Sequence, residues 1–216
     1  MKKTTRRQLA RQFGVLAGAS LAAPAWAKAL VATPKQVEGP FYPPEPHAEA
    51  DIDLTRLDGH EDVAQGEVIL VRGRVTDTRG NPLKGVRVDL WQANDNGRYS
   101  HPDDPNTAPL DPHFQGIGIT HTNGAGEYGF KTIKPAAYPL EFLGEGGWRA
   151  RHIHFKFSHP NAADLTTQMY FEGDELLDQD LEIARVPEAH RGLLITRAET
   201  DPDSGLPLHR FNIALA

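Results

Sequence analysis

The sequence predicts an all-β fold: a β-sandwich of mixed topology with long active-site loops and at most one or two short helices. Apolar and polar residues alternate with a two-residue period in several runs of five to ten residues. Turn clusters such as TRGNP and NGAGE separate these runs. No self-similar period of the kind a propeller or solenoid requires is present.

Taken in order, residues 1–27 stand apart from the rest. MKKTTRRQLARQF carries five basic and no acidic residues and leads into the small apolar run GVLAGASLAAPAWA, which ends in a small-x-small site at Ala25 and Ala27. This is the pattern of a cleaved export signal, too short and too rich in Gly, Ala and Pro for a permanent membrane anchor. Arg6 and Arg7 resemble the twin-arginine type, which exports folded cargo and predicts a periplasmic or extracellular address. Residues 28–66 form a proline-rich arm whose segment VEGPFYPPEP cannot be a central strand or helix and is expected to lie extended on a surface.

Residues 67–216 are expected to be the single sandwich domain. Glu67–Val75 alternates into TRGNP, and Gly85–Gln92 returns with the same period, predicting a hairpin. The following loop, Asn94–Pro112, holds four prolines and is longer than a connection needs, a frequent mark of function. Strand-like runs recur at GIGITHT, EYGFKTI, WRARHIHFKF, TTQMYFEG, GLLITR and HRFNIAL, and one short helix is expected within Asp174–Ala184.

Composition narrows the chemistry. The 216 residues carry a formal net charge of −6, and loss of the five basic residues of the leader takes it to −11. Nucleic acid and anionic membrane are therefore not expected partners. Cysteine is absent, which excludes disulfides, zinc ribbons, iron–sulfur clusters and thiolate-ligated haem, so any metal must be held by His, Tyr, Asp or Glu. GxGxxG, P-loop, GxSxG and HExxH motifs are also missing.

Within WRARHIHFKF, His152 and His154 share one strand face, roughly 7 Å apart along the backbone. Ile153, Phe155 and Phe157 form the apolar face opposite. The pair alone does not decide between polar surface and metal ligation. Tyr99, in WQANDNGRYS, and Tyr138, in TIKPAAYPLEF, occupy loop or strand-end contexts near this strand. A phenol titrates near pH 10, and a trivalent cation can displace its proton, so two phenolates with two imidazoles would favour ferric iron.

The runs VRGRVTDTRGNPLKGVRVDLWQANDNGRY, APLDPHFQGIGITHTNGAGEYGFKTIKPAAYP, WRARHIHF and TTQMYFEGD resemble the intradiol ring-cleavage dioxygenases, specifically their protocatechuate 3,4-dioxygenase branch, from about Glu38 to the C-terminus. The resemblance implies a non-haem Fe(III) held by Tyr99, Tyr138, His152 and His154, with Tyr138 and His154 axial and Tyr99 and His152 equatorial. It places Arg149 and Gln168 in the catalytic pocket beside Tyr138, with a small catecholic substrate and O2 as reactants. Trp91 and Trp148, which flank the ligand segments, are expected to pack. The Tyr138–His152 spacing is about one residue longer than the family pattern, at LEFLGEGG. Protocatechuate enzymes combine two related chains, with the carboxylate-binding arginine on the partner, and the proline-rich arm around Phe41 and Tyr42 can pack on a neighbouring copy, so a homo-oligomer is a further expectation.

Two other readings exist. GRVTDTRGNPLKGVRVDLW and TNGAGEYGFKTIKPAAY also resemble transthyretin-like sandwich modules, which would be non-catalytic and metal-free. A divalent-metal hydrolase would add a carboxylate such as Asp111 or Glu141 to the histidine pair.

Overall fold

The computed structural model describes residues 29–216 apart from 45–48, 142, 143 and 145. The export signal at 1–27 and part of the 140–147 segment therefore lie outside the described residues. The strands run β1 (Val68–Asp77), β2 (Arg87–Trp91), β3 (Ile117–His121), β4 (Glu127–Ile133), β5 (Tyr138–Pro139), β6 (Trp148–Arg149), β7 (His152–His159) and β8 (Ala162–Phe171). After a 3-10 turn at Leu177–Gln179 come helices α1 (Leu181–Ala184) and α2 (Glu188–Arg191), then β9 (Ile195–Thr196), β10 (Ala198–Thr200), β11 (Pro207–Arg210) and β12 (Ile213–Leu215).

Two five-stranded sheets pack face to face, and β5 and β6 form a separate two-stranded ribbon. In the first sheet β1 is central. β4 pairs antiparallel along one edge, while β11 and then β12 pair parallel along the other, with Leu70 opposite Leu208 and Val75 opposite Ile213. The second sheet runs β3-β2-β7-β8-β9. Alternation places Ile69, Val71 and Phe130 from the first sheet and Val88, Leu90, Ile153, Phe155 and Phe157 from the second in one core.

The expected β1–β2 hairpin does not form. TRGNP does reverse the chain, through an isolated Thr76–Pro82 bridge and the Asp77 carboxylate, which accepts from the backbone N–H of Arg79 and Asn81. Beyond that bridge β2 joins the opposite sheet, between β3 and β7. NGAGE likewise carries the chain from β3 in one sheet to β4 in the other. WRARHIHFKF splits into β6 and β7 at Ala150–Arg151, and the expected single helix is a 3-10 turn followed by α1, with α2 unanticipated.

The arm folds back over the outer face of the second sheet. The Thr167 hydroxyl donates to the Pro34 carbonyl, Gln36 N–H to the Thr166 carbonyl, Lys156 pairs with Glu38, and the Tyr42 hydroxyl donates to buried Asp89. This second sheet is therefore covered on both faces near its centre, which explains why β2 is buried along nearly its whole length.

Candidate metal centre

Strand register assembles the site. Trp91 on β2, His154 on β7 and Gln168 on β8 lie side by side across the sheet, and Tyr170 stands opposite His152. Cross-strand partners project to the same side, so all five share one face of the sheet, with Tyr170 also in contact with the main core. Tyr138 is paired with Arg149 in the ribbon, which hangs over that face. Tyr99 arrives from the long loop, where Asn and Asp side chains replace regular structure. Asn94 accepts from the N–H of Asn96 and Arg98, Asp104 accepts from Tyr99 N–H, and Asn106 donates to the Gly97 carbonyl. Gly97 has φ +77°, and a Cβ there would lie 2.8 Å from the Ala137 carbonyl oxygen, so only glycine lets the two tyrosine-bearing loops approach this closely.

Four donor atoms converge. The Tyr99 hydroxyl lies 3.3 Å from His152 Nε2 and 3.1 Å from His154 Nε2. The Tyr138 hydroxyl is 3.5 Å from His152 Nε2, and the two imidazole Nε2 atoms are 3.2 Å apart. All four side chains are buried. His152 Nδ1 donates to the Ala150 carbonyl at 2.6 Å, which leaves its Nε2 lone pair aimed into the cluster. Trp91 stacks on the His154 ring at 4.8 Å, and Gly39 of the arm passes on φ +73°, where a Cβ would come 3.4 Å from His154 Cε1.

Burial pushes both histidines well below the ordinary imidazole pKa, aided at His152 by the Arg149 charge and at His154 by His152 and then Arg149, so they are neutral and ligand-ready. Burial raises both phenols, most strongly Tyr99, while the Arg149 charge works against that rise at each. Two lone-pair-bearing imidazoles and two phenols packed this closely, out of water, fit a cation that displaces the phenolic protons. No group of three His, Cys, Asp or Glu side chains that could hold a metal occurs among the described residues. Asp111 instead accepts from Gln65 N–H and His113 N–H, and Glu141 is exposed.

Arg149 is 7% exposed. Its Nε donates to Asp180 at 2.9 Å and its NH2 group to Gln168 Oε1 at 2.6 Å, with the Tyr170 hydroxyl also donating to that oxygen at 3.1 Å. Gln168 Nε2 donates to the Val37 carbonyl of the arm. Trp91 packs as expected, whereas Trp148 is 45% exposed, because its strand neighbour Arg149 takes the inward position. Tyr170 and Asp180 were not anticipated. Tyr170 sits two residues after Gln168, on the same strand face, and that period was a usable signal.

The Dioxygenase family model matches residues 37–216. The chain belongs to the intradiol dioxygenase family. It is 44% identical over 179 residues to the protocatechuate 3,4-dioxygenase β chain of Burkholderia cepacia, covering 82% of this chain and 76% of that one. Catechol 1,2-dioxygenase 1 of Acinetobacter lwoffii is 35% identical over 162 residues, 70% of this chain but only 50% of the relative. Among solved structures, the dioxygenase domain of a dioxygenase carbohydrate-binding protein fusion from the cellulolytic bacterium Streptomyces sp. SirexAA-E superposes with a TM-score of 0.64 at 27% identity, covering 86% of this chain and 98% of that domain. These relatives are ring-cleaving dioxygenases, which does not favour the transthyretin-like binding module.

Proposed function

We propose that this chain cleaves a catechol-type ring between its two hydroxyl-bearing carbons with O2, giving a cis,cis-muconate-type product, and that Tyr99, Tyr138, His152 and His154 hold a non-haem Fe(III). The convergence of two phenol oxygens and two imidazole Nε2 atoms within 3.5 Å of a neighbour, with no carboxylate in the set, carries this reading. Ferric iron bound there supplies Lewis acidity that draws charge from a chelated catecholate and opens its ring carbons to O2. Both oxygen atoms end in the product, so no external reductant is required.

The chain's own residues divide the remaining work. With its own proton displaced by bound ferric iron, the Tyr138 oxygen, beside the Arg149 charge, would be placed to accept a proton from a substrate hydroxyl. Arg149 stabilises negative charge developing on the ring, and Gln168, held by Arg149 and Val37, orients a reacting oxygen. The arm, with Gly39 against His154, closes the site to water.

The test is optical and then kinetic. Iron-loaded protein is expected to be wine-red from tyrosinate-to-iron charge transfer, and Tyr99→Phe or Tyr138→Phe should bleach it. A colourless protein that takes up no ferric iron would overturn the metal assignment. Oxygen uptake with catechol, protocatechuate and hydroxyquinol identifies the substrate, and silence on all three rejects the activity. Export by the twin-arginine route is part of the same proposal, supported by Arg6 and Arg7 ahead of the apolar run. Replacing both with lysine should leave the protein in the cytoplasmic fraction.

A further inference from the structure

We propose that Asp180 is a positioning residue that aims Arg149 into the metal centre. The proposal rests on the ring-cleavage reading above, in which Arg149 stabilises charge on the substrate. Arginine has a long, many-rotamer side chain, and Arg149 starts from a ribbon strand of only two residues, so its direction must be imposed by its partners.

Asp180 is completely buried and spends each carboxylate oxygen twice. Oδ2 accepts from Arg149 Nε and from the Ala150 N–H, both at 2.9 Å. Oδ1 accepts from the Glu182 and Ile183 N–H groups and so caps α1. The carboxylate thus ties the arginine to a helix that is itself anchored, through Ile183, in the main core. With Nε fixed, the NH2 group is delivered to Gln168 Oε1. Asp180 Oδ2 also holds the Ala150 N–H, and the Ala150 carbonyl accepts a hydrogen bond from His152 Nδ1, so one carboxylate sets the arginine directly and steadies an imidazole at one remove.

Aspartate is the residue this geometry demands. Asparagine has one acceptor oxygen and must give up either the cap or the arginine. Serine keeps a cap acceptor and cannot reach Arg149. Serine therefore separates the capping role from the positioning role, and asparagine does so once a structure shows which side its oxygen keeps.

The experiment compares Asp180→Asn and Asp180→Ser in the wild-type and Arg149→Gln backgrounds. Both single variants should keep the visible iron band and bind catechol anaerobically within about threefold of wild type, while kcat falls about 100-fold, the scale for losing one preorganised charge-stabilising donor. Because Asp180 acts through Arg149, the further loss in the Arg149→Gln background should shrink to within about threefold. Equal losses in both backgrounds, or losses matching the iron lost, would overturn the proposal. If Asp180→Asn does not fold, Asp180→Ser carries the test, since it retains the cap. A crystal structure of the variant that folds gives a readout apart from turnover: the Arg149–Gln168 contact should be broken, and an unmoved guanidinium sinks the idea. If wild type cleaves no catechol, the activity reading fails, and this structural result still decides what Asp180 does.

Discussion

Arg149 shows most clearly how one residue's surroundings fix its use. A guanidinium this buried is costly unless every neighbour is arranged for it, and Asp180, Gln168 and Tyr170 are. Arg149→Gln is expected to lower kcat about 100- to 1,000-fold with little change in KM, measured by oxygen uptake, and to leave the iron band in place. His209 offers a prediction away from the site. It is 5% exposed, its Nδ1 lies 3.0 Å from the Thr196 hydroxyl, and burial aided by Lys134 lowers its pKa to about 4. The unfolded chain binds that proton near pH 6.5 and the native state does not, so the contribution of His209 to stability is full above pH 6.5 and falls between 6.5 and 4, by about 1–2 kcal/mol once solvent screening is allowed for. Urea denaturation at pH 7 and 4.5 should show this loss in the wild type, and a smaller one in His209→Gln. Of the candidate site residues, His152 and His154 were readable from the two-residue period and Tyr99 and Tyr138 from their loop or strand-end contexts nearby, whereas Arg149 and Gln168 were named only through the family resemblance. Asp180 looks like any aspartate before a helix, and only the fold reveals that its second oxygen meets an arginine 31 positions earlier.

At the scale of elements, the arm is as much a part of the site as the strands. Its backbone supplies the Val37 carbonyl to Gln168 and lays Gly39 against His154. Gly39→Ala should cost about 1 kcal/mol from the left-handed backbone alone, read from the denaturation midpoint, and should lower iron content by crowding His154. The strands were legible where alternation is clear in the sequence, and β1, β3 and β4 fall within two residues of their expected limits, although β8 is buried without a break over its last seven residues. Pairing was not legible in the same way. TRGNP encodes a reversal, but nothing in a turn says whether the returning strand stays in its sheet or crosses to the other. The ribbon of β5 and β6 was hidden for a different reason: two residues are too few to show a period.

Across the whole molecule, the site is a polar island roofed by the arm and floored by a sheet whose other face is the core. Such an arrangement leaves four mutually crowded donors in a dry place, so metal should be linked to stability. Chelating the iron is expected to lower the thermal midpoint by several degrees, ferric iron should restore it, and the shift should shrink in Tyr99→Phe. The two-sheet class was legible from many short alternating runs, whereas the parallel pairing along β1 was not, since alternation is blind to strand direction. That pairing has a bearing on how the protein comes into being. Both parallel neighbours of β1 are drawn from the last ten residues of the chain. During synthesis β1 must wait, with one edge bare, until β11 and β12, well over a hundred residues later, have emerged. The contacts that seal the first sheet are therefore among the least local the chain can make, and folding should be slow, late and close to all-or-none.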